Sequence, residues 1–462
     1  MKGSLQMDKS TTRLGQEKIF PLLIKLSVPS TFAMLVSALY NIVDAIFVGR
    51  GVSTEALGGL AVAFPVQMII MSVGFLIGVG ASSIISRSLG AGDHEKSRYA
   101  LGNAYTAGTI IAVVIVIISI FNLNSLVRIF GATKELEQYA RDYLQIILFA
   151  GVIHILAIIS NNIMRAQGNA KTAMMSMVSG ALMNMILDPI FIFVLHMGIK
   201  GAALATAISQ CVTLIVGLAY VFGKKSTIHV TCIHFRIRAQ LLKEMTAIGF
   251  SNFIRQIAGS IVVAVLNNVI NTVTGGMATL YISVFGIINR VMAFMMMPMF
   301  GVVQAFLPIA GYNYGAKSYK RVRESIKVTL IILLLLGTVS TLVILLVTRQ
   351  VLGIFTNDVA VLKNGPVILR TVIYITPLVG FHIITSTLYQ AIGKAGPALF
   401  LALLRQLIVL IPLLLLLPRF LGSNGIWLSF PLADSATVII SLIMLRHEAG
   451  LIKKNQLEYM SA

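Results

Sequence analysis

LVRIFGATKELEQYARDYL (residues 126–144) resembles VLGIFTNDVAVLKNGPVIL (residues 351–369), which lies 225 residues later and matches Phe355 to Phe130. Three more pairs recur at offsets of 225, 225 and 224 residues: RSLGAGDHEKSR (87–98) with YNYGAKSYKRVR (312–323), MRAQGNAKTA (164–173) with YQAIGKAGPA (389–398), and MGIKGAALA (197–205) with LGSNGIWLS (421–429). Similarity at a fixed period is the signature of an internal repeat. The chain is therefore predicted to consist of two related halves.

The composition indicates that lipid is the solvent for most of this chain. Of 462 residues, 57% are hydrophobic and 11% are charged, whereas soluble domains carry about 25% charged residues. Apolar runs long enough to cross a bilayer as helices, about 20 residues each, recur along the whole length. The runs are too long and continuous for barrel strands. Twelve spans are predicted, at 20–48, 57–85, 99–121, 143–164, 172–195, 199–222, 245–272, 279–308, 325–348, 366–391, 396–417 and 424–446.

The repeat and the span count together predict an all-α integral membrane protein with two six-helix lobes. Because six is even, both halves enter the membrane from the same side, and parallel repeats of this kind are related by a pseudo-two-fold axis along the membrane normal. The predicted parts are an N-terminal segment (1–19), a first lobe (20–222), a linker (223–244), a second lobe (245–446) and a tail (447–462). This architecture is typical of transporters that rock two lobes about a central pathway.

The net charge of +20 is distributed as a topology signal. Of the 36 Lys and Arg residues, 24 fall on the side of the N terminus, nine fall on the opposite side, and three lie inside spans. Such a bias places the richer side, and with it both termini, in the cytoplasm. The basic residues are then expected to face anionic lipid, and no nucleic-acid partner is predicted.

Cysteine and histidine give little sign of a disulfide or metal framework. Only Cys211 and Cys232 are present, so a set of disulfides is excluded in practice. HVTCIH (229–234) offers two histidines and one cysteine at irregular spacing, and a metal site there is weighed against a solvated loop. The loop is the favoured interpretation, and no cofactor is expected.

Two carboxylates stand inside predicted spans of the first lobe and have no acidic counterpart at the repeat offset in the second. LYNIVDAIFVGR (39–50) contains Asp44, and LMNMILDPIFIFVL (182–195) contains Asp188. A charged Asp at the centre of a bilayer costs about 2.5–3.5 kcal/mol on insertion scales, and such residues are usually functional. At the repeat offset they match Val269 and Leu413. The duplication kept the helices without the acids, which favours ion chemistry confined to the first lobe.

Polar neighbours of these acids are expected to complete a cation site. Asn184 and Tyr40 lie four residues before their respective acids, and Ser37 continues the stripe below Tyr40. Thr206 is expected at a similar depth. Oxygen ligands of this kind bind Na⁺, but the same cluster also suits a proton carrier. Pro189 leaves the carbonyl of Met185 without its helical donor and permits a bend.

The stretches LYNIVDAIFVG, GVGASSIISRSLGAGD, NNIMRAQGNA, LMNMILDPIF and GAALATAIS resemble the multidrug and toxic compound extrusion (MATE) family, especially its DinF-like prokaryotic branch. The resemblance extends over essentially the whole chain. It implies a secondary active exporter of cationic or amphipathic drugs in a prokaryotic cell membrane, driven by H⁺ or Na⁺. It further implies a cation site of Asp44, Asn184, Asp188 and Thr206, with Tyr40 and Asn161 beside it.

This chain departs from some family members at two places. Some archaeal members have glutamine where this chain has Ser37, and the acidic pair found on the second lobe of another branch is not evident. SNFIRQIAGS in span 7 instead offers Arg255 and Gln256.

The second lobe carries intramembrane charges of its own: Arg255, Arg290, Arg405 and Asp434. One interpretation is that Asp434 pairs with an arginine and holds spans together. The other is that these charges gate the central cleft or contact anionic groups of substrates. RVMAFMMMPMF (290–300), which includes Met296, is typical of core packing, although flexible methionines also suit promiscuous drug binding.

A monomeric ion-coupled exporter is the predicted function. No nucleotide-binding or metalloprotease motif is found, so neither ATP drive nor an enzyme activity is expected. A flippase for lipid-linked oligosaccharides is the alternative, because the arginines of the second lobe could face an anionic headgroup. A channel or receptor fits the asymmetry of the acids less well.

Overall fold

The computed structural model describes residues 9–130, 132–356 and 358–461, and nearly all of them are helical. A short helix α1 (Lys9–Gln16) precedes the first half. The first half contains α2 (Ile19–Gly51), α3 (Thr54–Gly90), α4 (His94–Phe121), α5 (Leu123–Ile129), α6 (Lys134–Ala166), α7 (Ala170–Pro189) with a π-helical turn (Ile190–Val194), and α8 (Gly198–Val221).

The second half repeats this order after a connection that contains a 3₁₀ turn (Cys232–Phe235). It contains α9 (Ala239–Thr274), a second 3₁₀ turn (Gly275–Met277), α10 (Ala278–Gly315), α11 (Tyr319–Leu346), α12 (Thr348–Phe355), α13 (Val359–Ile373), α14 (Thr376–Ile392), α15 (Ala395–Leu403) with a π-helical stretch (Leu404–Leu410), α16 (Ile411–Leu421) and α17 (Ser423–Ser461).

Within the described residues, ten helical segments are long and apolar enough to cross a membrane, or eleven when α13 and α14, bent by 43°, form one span. One of the ten, Ala239–Gly315, contains both α9 and α10, which are separated at Gly275 by a positive φ of 53°. Counting these two helices separately gives twelve crossings, six in each half. The predicted all-helical membrane fold is confirmed, with helices that extend beyond the predicted apolar runs.

The two lobes meet at one end of the bundle, where α3 of the first lobe packs on α9, α10 and α14 of the second. A Cβ on Gly90 would collide with the carbonyl of Tyr312, and a Cβ on Gly315 would collide with the carbonyl of Arg87. These two contacts interchange under the 225-residue offset, which is the behaviour of a pseudo-two-fold axis. We call this end, which holds the C-termini of α3 and α10, the closed end.

A mixed polar network reinforces the closed end. The Arg87 guanidinium forms an ion pair with Glu244 on α9 at 2.8 Å, and Lys96 contacts the same carboxylate at 3.3 Å. Ser83 of α3 donates a hydrogen bond to the carbonyl of Gln390 on α14. Each of these contacts joins one lobe to the other.

The connection between the lobes is fastened to the first lobe. The side chain of Asn103 on α4 donates to the carbonyl of Arg236 at 3.0 Å and accepts from the backbone N–H of Arg238 at 2.7 Å. His234 packs its ring on Tyr99 with centroids 4.9 Å apart. His234 is therefore engaged in packing and hydrogen bonding, in the segment that was weighed as a metal site.

Candidate functional site

Asn184 is the centre of a buried polar cluster in the first lobe. Its Nδ2 lies 3.2 Å from Oδ1 of Asp188 and 3.4 Å from Oγ1 of Thr206, and donates to both. Asn184 and Asp188 lie one turn apart on α7, which places both side chains on one face, and Thr206 reaches them from α8. Beyond Pro189 the helix continues as a π-helical turn, so the break in the regular ladder directly follows the acid.

Asp44 on α2 joins this cluster from the opposite side. Its carboxyl group lies within hydrogen-bonding reach of the carboxyl group of Asp188. Asp188 has no exposed surface, whereas Asp44 is partly buried. Tyr40 lies beside both acids. The structure thus brings together residues that are far apart in the chain but were predicted to share one depth.

Tyr143 and Gln67 belong to the same cluster and were missed by the sequence analysis. The Tyr143 hydroxyl lies 2.9 Å from Nε2 of Gln67, which donates to it, and it also hydrogen-bonds Thr206 close to Asp44. Gln67 lies in an apolar run of α3, and Tyr143 follows Asp142 near the polar start of α6, so neither is marked in the sequence as a partner of Asp44. Only the packing of these helices on α2 and α8 shows their role.

Several oxygens of the cluster are buried without a hydrogen-bond donor among the described residues: Oδ1 of Asp44, Oδ2 of Asp188 and Oδ1 of Asn184. A buried oxygen without a donor is unfavourable unless a proton, a cation or water satisfies it. Carboxylate, amide and hydroxyl oxygens are the ligands of hard cations. This set of oxygen ligands therefore fits Na⁺, or a proton held between the two acids.

A cavity of about 130 Å³ lies in the first lobe next to this cluster. Ser37 and Tyr40 line it from α2, and Asn161 lines it from α6. Asn161 donates to the carbonyl of Ala157 at 3.1 Å and to Ser176 at 3.5 Å, which leaves its own Oδ1 unpaired. Tyr40, which lies beside the acids, and Asn161, which lies nearer the closed end, therefore line the same cavity.

The charges of the second lobe form a separate group. Arg405, in the π-helical stretch, donates through Nε to Asp434 on α17, and Arg255 donates to Asn252 on its own helix. Arg290 is exposed on α10 and stands apart from this pair. Met296 is partly buried against the hydrophobic core.

A family model described as MatE matches the chain twice, over residues 29–190 and 256–416. The chain belongs to the MATE family. Each match of the MATE model falls in one lobe, as the internal repeat requires. The multidrug export protein MepA of Staphylococcus saprophyticus is 26% identical over 95% of this chain and 96% of its own length. MepA of Staphylococcus aureus strain MRSA252 is 25% identical with the same coverage.

Solved structures of MATE transporters share the fold. One, described as the outward-facing conformation of a multidrug resistance MATE family transporter of the MOP superfamily, has a TM-score of 0.90 and 28% identity, and the match covers 97% of this chain and 100% of that one. Another, a MOP superfamily transporter from Pyrococcus furiosus described as having a binding pocket of reverse polarity, has a TM-score of 0.90 and 27% identity, over 96% and 99% of the two chains.

Proposed function

We propose that this chain is a multidrug exporter that exchanges H⁺ or Na⁺ for cationic or amphipathic drugs. The observation that carries the proposal is the pair of buried carboxyl groups, Asp44 and Asp188, with oxygens that lack donors inside a MATE fold. Such a pair holds a cation or a proton but is unfavourable when empty and fully charged. The multidrug export relatives supply the substrate class.

The exchange rests on the duplicated architecture. The 24 basic residues on the N-terminal side support a cytoplasmic position for the closed end, and we infer that the described state faces outward. In that state the coupling cation binds between Asp44 and Asp188, with Asn184 donating to Asp188 and Thr206 accepting from Asn184. Rocking of the lobes then exposes the site inward, where the cation leaves and drug enters.

The second lobe supports the exporter over the flippase. Arg405 is neutralised by Asp434, which is 2% exposed, so this guanidinium is already committed to a protein carboxylate. An anionic headgroup would have to displace that partner. We therefore prefer the exporter to the flippase, and we propose that it acts as a monomer in a prokaryotic cell membrane, in keeping with its bacterial relatives.

The direct test uses purified protein in liposomes loaded with ethidium. We expect an imposed gradient of either H⁺ or Na⁺ to move ethidium against its own concentration gradient. Without an ion gradient, no such uphill movement is expected. If neither ion gradient moves ethidium while the same liposomes scramble a fluorescent polyprenyl-phosphate-linked sugar, the exporter proposal is wrong and the flippase takes its place.

A further inference from the structure

The cavity of the first lobe continues from the acid cluster toward the closed end. On α2, Tyr40 lies near both acids and also lines the cavity. On α6, His154, Asn161 and Arg165 line it in that order toward the helix end at Ala166. At 1.5 Å per residue, the step from His154 to Arg165 covers about 16 Å. The polar lining therefore extends from mid-lobe to the closed end.

Polar atoms along this lining lack partners among the described residues. They are Oδ1 of Asn161, Oε1 of Gln210 and Nε of Arg165. Buried polar groups are almost always satisfied, and a polar cavity large enough for water holds water. The cavity has the volume for several water molecules. It is therefore expected to hold water between Tyr40, which lies near the acids, and Arg165, which lies toward the closed end.

Arg165 stands at the inner end of this passage as a cation without an anionic partner in the described ranges. It is only 8% exposed and lines the cavity, and neither an ion pair nor a side-chain hydrogen bond joins it to residues 9–130, 132–356 or 358–461. In the sequence it counted only as one of the cytoplasmic basic residues. Its burial against a cavity distinguishes Arg165 from a solvent-exposed cytoplasmic basic residue.

The internal repeat shows that the packing at this position does not require an arginine. The counterpart of Arg165 at the 225-residue offset is Gln390, which is neutral, buried and hydrogen-bonded to Ser251 at 3.1 Å. The second lobe lacks both the acid pair and the cation at this position. The charge at 165 thus occurs together with the ion site.

We propose that the cavity of the first lobe is the inner path of the coupling cation, and that Arg165 is the barrier that stops cations from leaking along it without drug exchange. This inference rests on the proposed ion exchange. A fixed guanidinium in a narrow low-dielectric path repels protons and metal cations, as arginines do in selective pores. The lobes remain closed while the path stays hydrated, so a barrier is needed to prevent dissipation of the gradient.

The first test measures ion flux through drug-free proteoliposomes with pyranine for H⁺ and a fluorescent indicator for Na⁺. Arg165→Gln, which installs the residue of the other lobe, is expected to raise the flux of the coupling ion about tenfold. Arg165→Lys keeps the charge and is expected to remain tight. A monodisperse Arg165→Gln protein with wild-type flux would overturn the barrier.

The route is tested by closing the cavity in the leaky protein. Ala157 lines the cavity and is 2% exposed, so Ala157→Leu added to Arg165→Gln is expected to return the flux to the wild-type level. Ala219→Leu, at an exposed position on α8, is the matched control and should leave the leak in place. A leak that survives Ala157→Leu would show that ions pass elsewhere.

A second measurement keeps Arg165 intact and therefore does not depend on folding of that variant. Ala181, which lines the cavity, is replaced by Cys in a chain with Cys211 and Cys232 replaced by Ser. Reagents of similar size are applied from the closed-end side. The anionic sulfonatoethyl methanethiosulfonate should react about ten times faster than the cationic trimethylammonium form. Equal rates, or no reaction with either, would contradict the proposal.

Failure of this inference can be distinguished from failure of the proposed function. If the wild type exchanges ethidium but Arg165→Gln shows no ion leak, the exporter proposal stands and the proposed cation path through the cavity is rejected. If no gradient drives ethidium in the wild type, the exporter fails, and a barrier to a coupling cation fails with it.

Discussion

Gly90 of α3 and Gly315 of α10 make the same contact from opposite lobes. Each glycine lies against a backbone carbonyl of the partner helix, Gly90 on Tyr312 and Gly315 on Arg87, and neither site has room for a Cβ. The equivalence relates the two lobes at the point where they touch. Closure of this end therefore depends on the absence of a Cβ at both positions.

Gly90→Val is expected to weaken closure, because an added side chain in a close-packed contact costs about 1–3 kcal/mol. The measurement is disulfide formation between Ser83→Cys and Ala391→Cys, which should fall severalfold. Gly286→Ala on α10 is the control, since a Cβ there meets nothing within 4 Å. Unchanged crosslinking in Gly90→Val would show that the glycine contact does not govern closure.

Glu244→Gln removes the carboxylate that Arg87 and Lys96 share across the lobes. The side chains of Arg87 and Glu244 are 18% and 29% exposed, so the expected loss is at most about 1 kcal/mol, read as reduced crosslinking of the same cysteine pair. The charge swap Arg87→Glu with Glu244→Arg should recover part of it. Crosslinking at the wild-type level in both Glu244→Gln and the swapped variant would indicate that the ion pair contributes nothing to closure.

Asp434→Asn is expected to destabilise the second lobe, because Arg405, whose side chain is 25% exposed, would remain as a partly buried cation without its carboxylate. Breaking a fully buried pair from one side costs about 3–5 kcal/mol in soluble proteins, so a smaller cost is expected here, read as a drop in the thermal unfolding midpoint in detergent. Replacing both residues, Arg405→Met with Asp434→Leu, should restore much of the midpoint. Arg290→Gln, at an exposed position, should leave it unchanged, and an equal drop there would argue against a special role for the pair.

Tyr143→Phe removes only the hydroxyl that joins Gln67 and Thr206 beside the acids. Loss of one hydrogen bond of about 1 kcal/mol corresponds to a several-fold weaker hold on the coupling cation. The half-maximal ion gradient for ethidium movement should rise accordingly, while the maximal rate stays similar. Tyr139→Phe on the same helix is the control. An unchanged ion requirement in Tyr143→Phe would place Tyr143 outside the site.

The features of this protein that depend on sequence pattern could be predicted. Twelve apolar spans, their duplication and the solitary acids follow from hydropathy and spacing, and the fold and family are confirmed. Boundaries were shorter than the helices, because α3 and α10 continue into the polar closed end where hydropathy gives no signal. The tenth span is two helices, α13 and α14, bent by 43°.

The residues that were missed are those defined by packing between helices. Gln67 lies in an apolar run and Tyr143 follows Asp142 at the polar start of α6, so neither is marked in the sequence as a partner of Asp44; the packing of α3 on α6 joins the two side chains. Arg165 lies where a cytoplasmic basic residue is expected, so its charge was assigned to topology. Its orientation into a cavity depends on the ends of α6, α7 and α8 together, which no one-dimensional pattern encodes.

The central claim is that Asp44 and Asp188 couple ion and drug movement. The direct measurement compares wild type with Asp188→Asn in ethidium-loaded proteoliposomes, with and without the ion gradient that drives the wild type. The amide is close in shape and cannot carry the negative charge that holds a cation. We expect the variant to exchange ethidium down its own gradient but not to concentrate it. Concentration of ethidium by Asp188→Asn at the wild-type level would contradict the account.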